Sequence, residues 1–152
     1  MVPLTSKPSV LFLCTGNSCR SQMAEGLCRH LCGELFDVAS AGIQKHGLNP
    51  NAVKVMAEIG IDISSHESNT LGELGPTEFD FVITVCDSAH ETCPWFPATT
   101  AVIHQGFDDP PRLAAHAATE EEALEHYRRV RDEIRDYVSS LPQRLQEDYP
   151  VV

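Results

Sequence analysis

Four apolar residues, Val10-Leu11-Phe12-Leu13, run directly into Cys14-Thr15-Gly16-Asn17-Ser18-Cys19-Arg20-Ser21, and helical patterning begins near Gln22. Few arrangements accommodate a buried strand, a tight loop and a helix in such quick succession. In all of them the backbone N–H groups of the loop and first helical turn can converge on one anion, with the helix dipole adding positive potential. Arg20 would close the ring, because its planar fork can hold two oxygens of a tetrahedral oxyanion. The same field favours a thiolate at Cys14, making it a nucleophile facing the anion. Ser21 can both cap the helix and donate a hydrogen bond to that thiolate. With six cysteines, a bare Cys-x5-Arg arises by chance in roughly one chain in four. The specificity therefore comes from the strand before it, the Gly-Asn within it, and the serine and helix after it.

The remaining pattern extends this start into an α/β domain. At 152 residues the chain is expected to be a single domain with a full core, residues 1–8 and 143–152 forming loosely ordered tails. Ser9 to Cys14 reads as a buried parallel strand. Gln22 to Cys32 reads as a helix with Met23, Leu27 and Leu31 as its apolar stripe and Gly33 as its end. Asp37 to Ile43 is the second strand. Asn49-Pro50 starts a second helix, with Val53, Met56 and Ala57 toward the core and Gly60 as its limit. Ser64 to Glu78 is a polar connection with one helical turn near Leu71. Phe81 to Val85 and Thr100 to His104 are the third and fourth strands. Thr119 and Glu122 form a capping box for a last amphipathic helix that Pro142 stops. Its Arg128, Arg129, Arg131 and Arg135 alternate with acids and read as a solvated ion-pair face. The expected architecture is a three-layer domain, a four-stranded parallel sheet flanked by helices. Its reactive residues gather at strand C-termini, where an open parallel sheet has its ligand crevice.

Charge limits the function classes. The formal net charge of -11 argues against nucleic acid and anionic membranes as partners, so anion affinity must be local. No apolar run approaches membrane-spanning length and no signal peptide is evident, so a cytoplasmic location is expected. Six cysteines in such a chain suggest a reducing compartment and chemical work for some thiols. Cys28 and Cys32, at i and i+4, read as buried helix residues, and Cys19 as structural. The histidines show no metal-ligand spacing, and His46 and His66 read as hydrogen-bonding loop residues. Cys86 and Cys93 flank a six-residue polar segment. Were it helical they would lie about 10 Å apart along the axis, beyond the roughly 7 Å limit between α-carbons of a disulfide. Pairing them requires the segment to move. Asp108-Asp109-Pro110 by itself reads as a turn.

The segments CTGNSCRSQMAEG, SAGIQKHGLNPNAV, IDISSHES and GFDDP resemble the thioredoxin-coupled arsenate reductases built on the low-molecular-weight tyrosine phosphatase fold. The resemblance runs from about Ser9 to Pro110 and, less specifically, into the last helix. It implies arsenate reduction to arsenite for arsenic detoxification. Thr15 to Ser21 (Thr15, Gly16, Asn17, Ser18, Cys19, Arg20 and Ser21) would bind the oxyanion, Cys14 would attack it, and Asp109 would protonate a leaving oxygen. It further implies a transient Cys14–Cys86 disulfide, then a Cys86–Cys93 disulfide reduced by thioredoxin, in a monomer without organic cofactor or catalytic metal. Some relatives bind potassium at positions corresponding to Asn17, Glu25, Ser40 and residue 69. The amide of Asn69 replaces a carboxylate there, so strong potassium binding is not expected. A tyrosine phosphatase, with the same Cys14, Arg20 and Asp109, is the alternative function, with weak phosphatase activity expected in either case. Phosphorus cannot be reduced by thiols, so that reading leaves Cys86 and Cys93 without work. Gln22 and Pro111 also replace residues usual in phosphatases. A non-enzymatic redox-responsive module is the third reading.

Overall fold

The computed structural model describes residues 7–74, 78–87 and 95–149. The elements follow in the order β1 (Ser9–Cys14), α1 (Arg20–Cys32), β2 (Asp37–Gly42), α2 (Pro50–Glu58), a 3-10 turn (Gly72–Leu74), β3 (Phe81–Thr84), β4 (Ala101–His104), α3 (Pro110–Ala114) and α4 (Glu120–Asp148). All four strands pair in parallel in the order β2-β1-β3-β4. Val10 to Leu13 pair on both sides, with Val38 to Ala41 and with Phe81 to Thr84. A strand flanked in this way has no polar face, which is why β1 is apolar at consecutive positions. The order reverses at β1, so the switch point lies between the C-terminal ends of β1 and β3 and opens a crevice there.

Alternation along the strands assigns the two faces. Val10, Phe12, Phe81 and Ile83 enter the larger core with α1, α2 and α4, whereas Leu11, Leu13, Ala41, Phe79 and Val82 form a smaller cluster on the other face. Leu71, Leu74, Phe96 and Ala98 pack on that second cluster.

Several elements differ from expectation. Helix α1 begins at Arg20, and its N-cap is Cys19 without a side-chain cap bond. Ser21 is thus inside the helix and does not cap it. Leu31 is exposed; Met23, Ala24, Leu27 and Cys28 form the buried stripe. Gly33 keeps right-handed geometry at the C-cap. In α2, Asn49 caps as expected through Oδ1, which accepts from Asn51 and Ala52 N–H, but Ala52, Val55 and Met56 are buried and Ala57 is exposed. The left-handed residue Gly60 (φ 81) follows.

The largest correction concerns α4. It passes through Pro142 to Asp148, and Leu141 and Leu145 are both buried. Residues 143–148 are therefore helix, not tail. Proline at 142 removes the N–H that would bond Val138 O. The Cys32 thiol on α1 donates to that carbonyl instead, at 3.7 Å, and burial of Leu145 supports the turn beyond. Arg131 also departs from the solvated-face reading. It is buried, with Nη1 donating to Val55 O (2.8 Å) and Glu58 Oε1 (2.9 Å), so it ties α4 to the end of α2.

Candidate active site

Every strand end that the sequence singled out converges on the crevice between β1 and β3. Cys14 closes β1, and Val85, whose N–H donates to Leu13 O (2.8 Å), hands the chain to Cys86. Cys14 and Cys86 are both buried in the larger core cluster, on the same side of the sheet. The loop after Cys14 has its carbonyls tied outward. Thr15 O accepts from Gln44 N (3.0 Å), Gly16 O from His46 N (3.0 Å) and Ser68 Oγ (3.1 Å), and Ser18 O from Asn49 N (3.0 Å). Asn17 O accepts from Gln22 Nε2 (3.2 Å) and Cys19 O from Met23 N (2.9 Å). With the carbonyls drawn outward, the N–H edges of the peptide planes turn toward the anion position. Asn17 reverses the loop with φ 47, a left-handed conformation that asparagine tolerates better than most residues.

The cradle encloses ≈ 260 Å³, with Cys14, Cys19 and Arg20 on its wall and His46, Asn49, Asp109 and Pro111 at its rim. Buried Arg20 is aimed by Phe107 O, which accepts from Nη1 at 3.2 Å, and its Nη2 lies 3.5 Å from Asp109 Oδ1. Asp109 is the N-cap of α3. The Asp-Pro step is therefore the entry to a short helix and not merely a turn, and it brings the acid to the guanidinium.

A buried network backs Cys14. Cys14 Sγ is 2.8 Å from Ser21 Oγ. Asn17 Nδ2 donates to both Ser21 Oγ (2.9 Å) and Ser40 Oγ (2.9 Å), and Ser40 Oγ donates to Glu25 Oε1 (2.6 Å). Because Ser21 accepts from Asn17, its own proton is available to a Cys14 thiolate. This use of its hydroxyl explains why Ser21 does not cap the helix. Burial first, then the neighbouring Cys14, pushes the Cys19 thiol well up, so Cys19 stays protonated under the loop as a structural residue. Burial also raises Cys32 and pushes Cys28 up to about 12.

Asn17, Glu25 and Ser40 are gathered by the same network. The Asn69 side chain points elsewhere, to Glu67 O (3.1 Å), while its backbone N–H donates to Asn17 Oδ1 (2.7 Å). Asn17 Oδ1 also accepts from Gln22 Nε2 (3.0 Å), so it is already engaged by two N–H donors, while Ser40 Oγ and Glu25 Oε1 are engaged with each other. A hard cation asks for several carboxylate or carbonyl oxygens directed at one point, and this set does not fit that demand. Among the described residues no group of three or more His, Cys, Asp or Glu could hold a metal ion.

The redox expectations divide. Cys86 is disulfide-bonded, whereas Cys14, Cys19, Cys28 and Cys32 are free thiols. Cys93 and the segment leading to it lie outside the described residues. Sequence reasoning missed the rim residues. His46 packs so closely on Gly16 that a methyl group there would lie 2.6 Å from His46 Cγ. Asn49 donates from Nδ2 to Tyr127 OH (3.1 Å) while capping α2 and bonding the loop. Both stand in the stretch SAGIQKHGLNPNAV, which carried the resemblance, and that stretch was the available signal.

Fold, cradle and acid together define a phosphatase-like oxyanion enzyme class. The chain belongs to the low molecular weight phosphotyrosine protein phosphatase family, whose model matches residues 9–151. Within it, the chain is 51% identical over 129 residues to an arsenate reductase of Halalkalibacterium halodurans, covering 85% of this chain and 91% of the relative. It is 50% identical over 125 residues to an arsenate reductase of Bacillus subtilis (82% and 88%). A solved structure of an arsenate reductase in the phosphate-binding state superposes with a TM-score of 0.73 at 30% identity, covering 90% of this chain and 98% of that one.

Proposed function

We propose that the protein is an arsenate reductase working by a three-cysteine relay that thioredoxin regenerates in the cytoplasm. The observation that carries this reading is a free Cys14 in an oxyanion cradle with a disulfide-bonded Cys86 buried beside it at the next strand end. Arsenate binds to the loop amides and Arg20, and the Cys14 thiolate attacks arsenic. An oxygen leaves as water with a proton from Asp109, so a Cys14–S–As(V) bond replaces an As–O bond. Cys86 then attacks Cys14 Sγ. The S–As bonding pair returns to arsenic, arsenite departs as As(III), and the two thiols have become the Cys14–Cys86 disulfide. Cys93 attacks Cys86, releasing the Cys14 thiolate and forming a Cys86–Cys93 disulfide, which a reduced thioredoxin opens.

Neither potassium nor another cofactor enters this sequence; the engaged oxygens around Asn17 support that omission. Activity in potassium salts should equal that in sodium salts, and a large potassium stimulation would overturn it. Weak phosphatase activity belongs to the same proposal, because Cys14, Arg20 and Asp109 suffice for attack on a phosphate ester.

Free thiols of fully reduced protein, freed of its reductant, are to be counted before and after arsenate. The relay loses two per chain, and an unchanged count rejects it. Cys93→Ser should give one arsenite per chain and then stop in an NADPH-linked assay with thioredoxin and thioredoxin reductase; sustained turnover by that variant would refute the relay. An aryl phosphate run in parallel measures the phosphatase activity.

A further inference from the structure

Two thiols outside the cradle have no part in the proposed chemistry. Cys28 and Cys32 lie one turn apart on α1, both buried and both free. Burial holds both thiols protonated, and they stand near enough for each to act on the other. The Cys32 thiol donates to Val138 O, the carbonyl that Pro142 leaves without its helical partner. The pair is thus a dithiol of two neutral sulfurs one helical turn apart.

An apolar groove opens next to it. The groove, ≈ 420 Å³, is lined by Leu35, Phe36, Phe81, Pro142, Leu145 and Tyr149. Neither thiol lines the groove, but Cys32 adjoins its wall: its carbonyl accepts from Leu35 N (2.9 Å) and Phe36 N (3.1 Å), and its thiol bonds Val138 O in the turn that precedes Pro142. A ligand suited to the combination is soft, takes two sulfurs at once and carries an apolar substituent.

We propose that Cys28 and Cys32 form a binding site for monosubstituted trivalent arsenicals, R–As(OH)2, with the substituent R in the groove beside Pro142. The reaction is a condensation without electron transfer. Two S–H and two As–O bonds break, two As–S bonds form, two waters leave, and arsenic remains trivalent. Neutral thiols suit it, since the protons are needed for the departing waters. The Val138 carbonyl loses its donor on binding, so the occupied site loosens the α1–α4 contact around Pro142. The proposal stands on these side chains and does not depend on the reading of Cys14.

The test uses phenylarsine oxide on the full chain, with intact-mass measurement and protease mapping. One equivalent should cross-link Cys28 and Cys32 in folded protein. Cys28→Ala and Cys32→Ala should each weaken that binding by at least about 100-fold, because a single thiol forfeits the chelate's effective concentration. Circular dichroism checks that each variant is folded, and wild-type mapping gives a readout independent of both. Absence of a Cys28–Cys32 adduct overturns the proposal, as does an adduct that forms only in denaturant or persists in Cys28→Ala. Arsenate-dependent thiol loss should be intact in both variants; its absence from wild type would sink the relay and leave this site unaffected.

Discussion

Ser21 and Gly16 show how much of the cradle depends on single atoms. Ser21 accepts from Asn17 and faces Cys14 Sγ at 2.8 Å, so Ser21→Ala removes a hydrogen bond to the sulfur that is to attack as a thiolate. Such bonds contribute about 1.5–3 kcal/mol. The variant should be alkylated at Cys14 by iodoacetamide about tenfold more slowly at neutral pH, and an unchanged rate would show that the serine is inert. At Gly16 the constraint is steric. An added methyl group collides with the ring of His46, so Gly16→Ala should weaken arsenate binding, and His46→Ala in the same chain should recover most of the loss. Such a double-mutant cycle isolates the contact itself. If Gly16→Ala is equally damaged with and without the imidazole, another contact is responsible.

At the scale of elements, α4 gives the clearest stability prediction. Leu145 is buried in a turn expected to be tail, and removing a buried leucine side chain costs about 2–5 kcal/mol. Leu145→Ala should therefore lower the unfolding free energy by that much, read from urea unfolding, whereas a dispensable tail would give no change. The sequence pattern identified the four strands and the longer helices, missed the short α3, and misplaced the end of α4 for a physical reason. Proline's cost inside a helix is local, and a thiol from α1 together with a buried leucine offsets it. The thiol lies on another helix and is invisible in the periodicity of α4, while Leu145, which continues the series past Leu141, is passed over if the helix is ended at Pro142. Strand β1 was legible for the converse reason, since a strand paired on both sides must be apolar throughout. Cys14 and Arg20 were legible because they stand in one contiguous loop motif, whereas Asp-Pro by itself read as a turn and Asp109 was named only through the family resemblance. His46, Asn49 and Ser40 were not legible, because their roles arise from contacts between segments 15 or more residues apart.

At the scale of the whole molecule, 22 acidic residues against 11 lysines and arginines make acid the natural denaturant. Glu58 at the end of α2 is held below its ordinary value by its bond to Arg128, against desolvation and with Arg131 assisting. At Asp80, burial works in the opposite direction and is outweighed by hydrogen bonds from Ser9 N and Thr99 Oγ1, so its value also falls. A carboxyl depressed in the folded chain is protonated first in the unfolded one. Its contribution is complete above the ordinary carboxylate range and is lost as pH falls through the folded value. Thermal midpoints should therefore drop from about pH 5 toward pH 3, and Glu58→Gln should flatten part of that slope. An unflattened slope would assign acid sensitivity to other carboxylates.

The outward-tied carbonyls of residues 15 to 19 carry a consequence for protein engineering. The curvature of this ring is imposed from outside, by Gln44, His46 and Asn49 after β2 and by Ser68 beyond α2. Transplanting the octapeptide beginning at Cys14 onto another strand–helix pair would move the sequence without its mould. A graft that is to capture oxyanions must bring both neighbouring loops with it.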